Sequence, residues 1–421
     1  MRSLVRPLET FSPRVRRALR IEIPATLLVT LFGCLTGPFT GLVLRRELGA
    51  SAWQLSVLAS ASAAALLLSL VWSHALDGRH PLPWVVWPAF LARALFLLTP
   101  LVHGAWPFVA LLVAANLLGS VVGPAHAAVV ARVYPPGERG RALGLVRLVG
   151  GVPAVALALG AGHLLAQVDY RWLFPTAACA GMAASLWLRR LPVPEAPRAA
   201  SARDAPMRGL LAALRGDARL RRLLGAAFVF GSGVWIQVPA TPLLMADRLG
   251  VDMAAMGALA AVAALAGLAG NAWWGRVTDR HSPLVALRLV YLVGALGPLL
   301  YGLADGPAAL AAAVAVEALM NTGLDLVWML ALVELAGPAR AGHYVAISAT
   351  LAGVRGLAAP LLGAALIERA GLLAVYPVAT GLMLGAALLV TLELRRAATS
   401  ARSASAASTT AAGATPRRQA W

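Results

Sequence analysis

Apolar runs long enough to cross a bilayer recur twelve times along this chain, and no soluble fold accommodates that many. They lie near residues 21–44, 53–76, 82–103, 106–132, 141–166, 171–190, 222–246, 253–274, 283–303, 307–335, 343–368 and 371–394. A helix needs about 20 apolar residues to span the hydrocarbon. Inside lipid, each backbone polar group must find its partner within the protein, so long apolar runs read as helices. The chain has 421 residues, 60% hydrophobic and only 13% charged, where a soluble chain is about a quarter charged. That composition leaves no room for a sizeable aqueous catalytic domain. Cys34 and Cys179 both sit inside apolar stretches and have neither metal-ligand spacing nor a disulfide framework. No metal and no cofactor are expected.

The net charge of +18 comes from 36 basic residues, all of them arginine. A basic chain can bind nucleic acid through phosphates, so their placement decides. With twelve spans, 28 arginines fall on one side, together with both termini. The other side holds Arg45, Arg46, Arg171, Arg248 and Arg369, and three arginines (Arg93, Arg147, Arg355) lie within spans. An arginine excess marks the cytoplasmic face. The charge therefore reports topology, with both termini in the cytoplasm of an inner-membrane protein, and no nucleic-acid partner is expected.

The two halves repeat. GPFTGLVLRRELG (37–49) aligns with VPATPLLMADRLG (238–250), sharing Pro38/Pro239, Thr40/Thr241, Leu42/Leu243, Leu48/Leu249 and Gly49/Gly250. One residue later in register, WSHALDGRHPL (72–82) aligns with WGRVTDRHSPL (274–284). Each half then contains six spans. The expected organisation is a six-helix bundle over 1–190, a cytoplasmic linker over 191–221, a second six-helix bundle over 222–396 and a disordered cytoplasmic tail over 397–421. Two six-span halves in parallel repeat form the layout of transporters whose halves rock about a midplane site.

With these features the chain resembles the major facilitator superfamily over about residues 20–395. The family's loop motif between spans 2 and 3 is matched at the front by Gly275, Asp279 and Arg280, and in degenerate form by Asp77 and Arg79. Arg139-Gly140-Arg141-Ala142-Leu143-Gly144 is similar to the family's loop between spans 4 and 5, and its counterpart keeps Arg340. The resemblance implies an all-α membrane protein: twelve transmembrane helices in two bundles related by a pseudo-two-fold axis. It also implies that Asp77, Arg79, Arg139, Gly275, Asp279, Arg280 and Arg340 latch the cytoplasmic side. The plain alternative is a set of charged turns. Small residues are expected where the halves pack: ASASAAA (59–65), the Ala/Gly run 254–270, Gly140, Gly144 and Gly151, and Gly356, Pro360 and Gly363.

Polar residues inside the spans are few. Glu317, Asn321 and Asp325 follow at i, i+4 and i+8 in span 10, a spacing that puts them on one side of a helix. Span 4 offers Asn116 and Ser120, span 1 Thr36 and Thr40, span 7 Gln237 and Thr241, and span 11 Arg355. In the resembled family, spans 1, 4, 7 and 10 line the substrate pathway. Acidic groups in hydrocarbon are costly and should face a cavity or a partner. Glu317 and Asp325 are candidate proton carriers, or structural partners of Arg355, Arg147 or Arg93. His126 is a candidate relay, or an ordinary hydrogen-bonded histidine.

The function expected is secondary active transport of a small solute by alternating access, in a monomer surrounded by lipid. Protons are the candidate coupling ion. Few polar groups on Ala/Leu-rich cavity spans favour an efflux antiporter of amphipathic compounds; the alternative is a permease importing a polar solute such as a sugar. A membrane enzyme would need a His/Asp or Ser/His cluster at one depth, and His74, His126 and His163 are scattered, so no enzyme is expected. A non-transporting sensor on the same fold is separated only by measuring flux. The topology has a direct test. Reporter fusions should place both termini in the cytoplasm with twelve crossings; a periplasmic C-terminus or an odd count contradicts the repeat.

Overall fold

The computed structural model of the chain describes residues 10–195, 216–336 and 341–413, and every regular element among them is helical. Among these residues the helices form twelve rods. In the first half, α1 is Pro13–Thr36 continued by Thr40–Arg46, α2 is Ala52–Ala75, and α3 is Leu82–Ala94 with a tighter turn over Leu95–Leu101. Next come α4 (Ala105–Gly119 with Val122–Val133), α5 (Pro136–Gln167) and α6 (Tyr170–Leu188). In the second half, α7 is Ala218–Ile236 continued by Ala240–Leu243 and Leu244–Arg248, and α8 is Met253–Arg280. The remaining rods are α9 (Pro283–Leu303), α10 (Pro307–Ala336), α11 (Ala341–Ala370) and α12 (Val375–Gly413).

Eleven of the rods are long and apolar enough to cross a membrane. The exception is α6, whose 19 residues begin with Arg171, Trp172 and Pro175 close together.

Local chemistry explains several boundaries. Ser51 and Gln54 form a reciprocal cap at the start of α2: Gln54 N donates to Ser51 Oγ (3.4 Å), and Ser51 N donates to Gln54 Oε1 (2.7 Å). Asp252 caps α8 through Ala255 N (2.7 Å). Asp217 caps α7 through Leu220 N (3.0 Å), so that helix begins four residues before the expected 222. The repeat also appears in the backbone. Both α1 and α7 break next to the equivalent prolines Pro38 and Pro239, which cannot donate to the helix ladder. Both then close with a wide turn: Leu48 N reaches Val43 O, and Leu249 N reaches Leu244 O. The chain leaves through left-handed Gly49 (φ 65°) and Gly250 (φ 59°), a conformation glycine adopts without a Cβ penalty.

Packing repeats as well. α1 packs on α5 and α6, and α7 packs on α11 and α12; α2 packs on α4, and α8 on α10. The halves meet chiefly along two seams, α5 against α8 and α2 against α11. Exchanging the halves turns one seam into the other, which is the geometry of a pseudo-two-fold axis.

The ends differ from expectation in one respect. α12 runs on to Gly413, past residue 396 and through most of the stretch expected to be disordered. That stretch is rich in alanine, the strongest helix former. The expected linker falls largely on residues outside those described.

The seams are tightest at glycine. A Cβ on Gly257 would stand 2.7 Å from Ala158 O, and one on Gly162 would stand 2.8 Å from Met253 O and from Gly257 Cα. Backbone thus lies directly on backbone, as small residues allow in lipid. Gly257→Val should lower the thermal unfolding midpoint, with a cost of about 1–3 kcal/mol from overpacking. A Cβ on Gly144 meets nothing within 4 Å, so Gly144→Val should stay within about 0.5 kcal/mol of the parent. Equal effects in the two variants would contradict this reading of the seam.

Candidate functional site

The seams close at one end only. Gly162 and Gly257 touch, and further along the same seam a Cβ on Gly151 would meet Leu268 at 3.1 Å. Beyond that, toward the arginine-rich face, Cβ atoms on Gly144, Gly140 and Gly275 would meet nothing within 4 Å. The second seam behaves likewise. Ser56 Oγ donates to Pro360 O (2.8 Å) and Ser60 Oγ to Leu357 O (2.9 Å). Gly356 lies against Ala63 and Gly353 against Leu67. Val71, one turn closer to the arginine-rich face, is 61% exposed.

The closed end carries a clasp between the halves. Arg45 Nε donates to Asp247 Oδ1 and Oδ2 (2.8 and 3.0 Å), and Arg46 Nη1 donates to Val251 O (2.7 Å). Asp247 is 43% exposed, and exposed pairs of this kind contribute at most about 1 kcal/mol. Shape at the glycine crossings, more than charge, holds this end shut.

Between the seams lie two adjoining cavities of about 590 Å³ each. The first is lined by α1, α2, α3 and α4, with Val238 and Pro242 from the other half. The second is lined by α7, α9, α10 and α11, with Leu66 from the first half. Val238, at the break in α7, lines both.

Six of the ten expected pathway residues line these cavities: Thr36, Thr40 and Asn116 in the first, Asn321, Asp325 and Arg355 in the second. The threonine hydroxyls bond to their own helix: Thr36 to Phe32 O and Thr40 to Thr36 O, both at 2.8 Å. The other four residues do not line them. Ser120 Oγ accepts from Trp72 Nε1 (2.8 Å) and ties α4 to α2. Thr241 Oγ1 donates to Gln237 O (3.3 Å). Gln237 is 3% exposed, and its buried Oε1 has no hydrogen-bond partner among the described residues.

Glu317 Oε2 accepts from Tyr301 OH (2.6 Å), toward α9. The expected stripe therefore splits. Each i+4 step on a helix of 3.6 residues per turn rotates by about 40°, so Glu317 and Asp325 differ by about 80°. Asn321 and Asp325 face the cavity while Glu317 turns to its neighbour helix.

The cavity charges are unequal. Arg93 borders the first cavity, but Nη1 donates to Gly181 O (2.8 Å) and to Ser185 Oγ, and its guanidinium lies 5.8 Å from the Phe32 ring centroid. It fastens α3 to α6. Arg355 Nη1 donates to Ala227 O, and the side chain lies over Gly231, where any Cβ would collide. Its buried Nε has no partner among the described residues. Asp325 is exposed to the cavity and makes no ion pair among the described residues. Trp328 Nε1 donates to Ser348 Oγ (3.0 Å) on the same wall, and Phe230 stacks on Tyr291 at 4.0 Å.

At the arginine-rich face, the residues expected to form a latch stand apart. Asp77, Arg79, Asp279 and Arg280 are exposed, and no ion pair among the described residues includes them. Arg79 lies over Trp84 at 5.5 Å, and its carbonyl accepts from Arg132 Nη2 (3.2 Å). Arg139 stays within its own half, donating to Ala131 O (3.1 Å) and Tyr134 O (3.1 Å). Gly275 sits in open space. Arg340 lies outside the described residues. Among the described residues no latch joins the halves in this arrangement, because the seams have already diverged there.

Two features escape a reading of the sequence alone. The Arg45–Asp247 clasp joins residues that are unremarkable in either repeat. Glu22 accepts from Tyr134 OH and from His126 Nε2 (3.2 Å); the available signal is a lone carboxyl just inside the first apolar run.

Comparison with known proteins matches this architecture. The sequence profile of the Major Facilitator Superfamily matches residues 23–236 and again 223–421, one copy per half. No curated protein matches the sequence. Among solved structures, the nucleoside transporter NupG superposes with a TM-score of 0.73 at 10% identity, covering 89% of this chain and 99% of that one. A POT family transporter in complex with a thioalcohol-conjugated peptide gives 0.73 at 12% identity, over 91% and 96% of the two chains. A bacterial homolog of the human lysosomal transporter Spinster, inward-facing and unoccupied, gives 0.58 at 13% identity, over 91% and 96%. At these identities the likeness is one of fold.

Proposed function

This chain belongs to the major facilitator superfamily, and from that premise we propose that it exports a small amphipathic solute by alternating access, driven by protons. The supporting observation is the pair of seams: closed at glycine crossings opposite the arginines, open toward them, with a cavity walled by both halves. With the arginine-rich face in the cytoplasm, this is an inward-open arrangement. Rocking the halves would part the Gly162–Gly257 crossing and bring Asp77, Arg79, Asp279 and Arg280 together at the other end. Arg139 and Arg340 are assigned to the same cytoplasmic gate.

The cavity chemistry indicates the cargo. Phe32, Leu55, Phe230 and Trp328 offer apolar surface, while Arg355 and Asp325 offer opposite charges not spent on each other. A solute with an apolar body and a charged or zwitterionic head complements both. Thr36, Thr40, Asn116 and Asn321 supply hydrogen-bonding groups along the path. Ser120, Gln237 and Thr241 shape the helix breaks and contacts behind it. Glu317 is a carboxyl held by Tyr301 beside that path, available to titrate with the gradient.

The test is flux through the purified full-length chain in proteoliposomes. A panel of nucleosides, short peptides, sugars, and cationic, anionic and zwitterionic amphiphiles is offered with and without an imposed pH gradient. At least one amphiphile should be exported faster with the gradient. Arg355→Gln and Asp325→Asn should each reduce its exchange about tenfold or more, a loss of about 1.4 kcal/mol or more. Flux indifferent to both substitutions contradicts the assigned cavity, and a sugar carried in preference to every amphiphile contradicts the amphiphile reading.

A further inference from the structure

The buried cluster of Glu22, His126 and Tyr134 is used by nothing described above. Glu22 lies on α1 and is 4% exposed. One carboxylate oxygen accepts from the phenol of Tyr134, itself 1% exposed, and the other from His126 Nε2 at 3.2 Å. The His126 side chain is 42% exposed. It stands one helical turn from Val122, which lines the first cavity, on the side toward the arginine-rich face. The buried carboxylate is thus partnered by one part-exposed imidazole, a helical turn beyond the cavity wall toward the arginine-rich face.

We propose that Glu22 and His126, with Tyr134 holding the carboxylate, form a proton-binding site that couples cytoplasmic pH to closure of the cytoplasmic side. The inference rests on the alternating-access reading alone: the pair senses cytoplasmic pH and biases which side is open, apart from the gradient-coupling role given to Glu317. With neutral imidazole the pair carries −1; one proton taken from the cytoplasmic vestibule makes it net neutral, and no other atom need move. The proton belongs to the pair as a unit. Closing the cytoplasmic side strips water from His126, and burying an uncompensated charge costs more than burying a neutral ion pair. Protonation therefore favours closure and loss of the proton favours the open arrangement, a coupling of the kind that joins two states to a ligand.

The neighbouring charged groups do not take over this role. On α5, Arg139 is held by the carbonyls of Ala131 and Tyr134, Glu138 by Ser12, and Arg141 lies over Phe11. On α4, Arg132 is on Arg79 O. Arg20 on α1, Arg147 on α5 and Asp77 after α2 are exposed, and His74 on α2 has an interaction of its own. On α3 and α6, Arg93 is tied to Ser185, while Arg189 and Arg190 lie over Trp87 and Trp187. Among the described residues, His126 is the one basic side chain within ion-pair distance of Glu22.

The test needs no cargo, because the ligand is the proton. Spin labels at Gly144→Cys on α5 and Ala272→Cys on α8, in the full-length chain with Cys34 and Cys179 replaced by serine, report the opening of that seam in nanodiscs. Between pH 8.5 and 5.5, the ratio of short to long distances should rise about fivefold or more. Glu22→Gln and, independently, His126→Asn should each abolish that rise; His126 is half-exposed, so its variant remains informative if Glu22→Gln folds poorly. Two populations whose ratio ignores pH, or a rise that survives in His126→Asn, overturns the proton site and leaves alternating access standing. One fixed distance at every pH overturns both.

Discussion

Direct backbone contact between the halves, confined to one end of each seam, is the constraint from which the rest of the structure follows. At Gly162 and Gly257 two helices touch with no side chain between them, and on the second seam Ser56 and Ser60 reach carbonyls of α11. Helices that meet at one end and are free at the other must splay. The splay creates the cavity and leaves Asp77, Arg79, Asp279 and Arg280 without an ion pair among the described residues. The Arg45–Asp247 clasp sits at the same closed end, but exposed charge contributes little there compared with close packing.

Inside the membrane, the polar groups divide by what they touch. Arg93 and Ser120 are committed to neighbouring helices, and Glu317 has one carboxylate oxygen on Tyr301. Arg355 borders the cavity with a buried Nε that has no partner among the described residues, and Asp325 is exposed to the cavity without an ion pair among them. A spent group stabilises the bundle; an unspent one in low dielectric stays costly until something pairs with it. The distinction explains why a count of polar residues per span overstates the number that can meet a solute.

Much of the fold was legible in the sequence because it rests on long-range regularities. Span length, arginine asymmetry and the two repeated blocks each survive errors of a few residues, and the paired prolines Pro38 and Pro239 and glycines Gly49 and Gly250 mark real breaks and turns. The site was less legible because it depends on rotation about each helix. Glu317 is displaced from Asp325 by about 80° over two steps of four residues, enough to move it from cavity to neighbour. The close contacts at Gly162 and the Glu22–His126 pair join residues over a hundred positions apart in one case and on opposite halves in the other. No local pattern encodes such meetings. The Ala-rich end shows the opposite error: low complexity reads as disorder, while alanine itself favours helix.

The central claim is that the cavity between the halves opens at the arginine-rich face, which the proposed function places in the cytoplasm, and is sealed at the other. Asn321, exposed on the cavity wall, offers the most direct test once replaced by cysteine in a chain lacking Cys34 and Cys179. A membrane-impermeant thiol reagent should label it at least about tenfold faster in inside-out vesicles than in right-side-out ones, a difference of about 1.4 kcal/mol in the populations of the two openings. Equal rates from the two sides, or faster labelling from outside, would contradict the account.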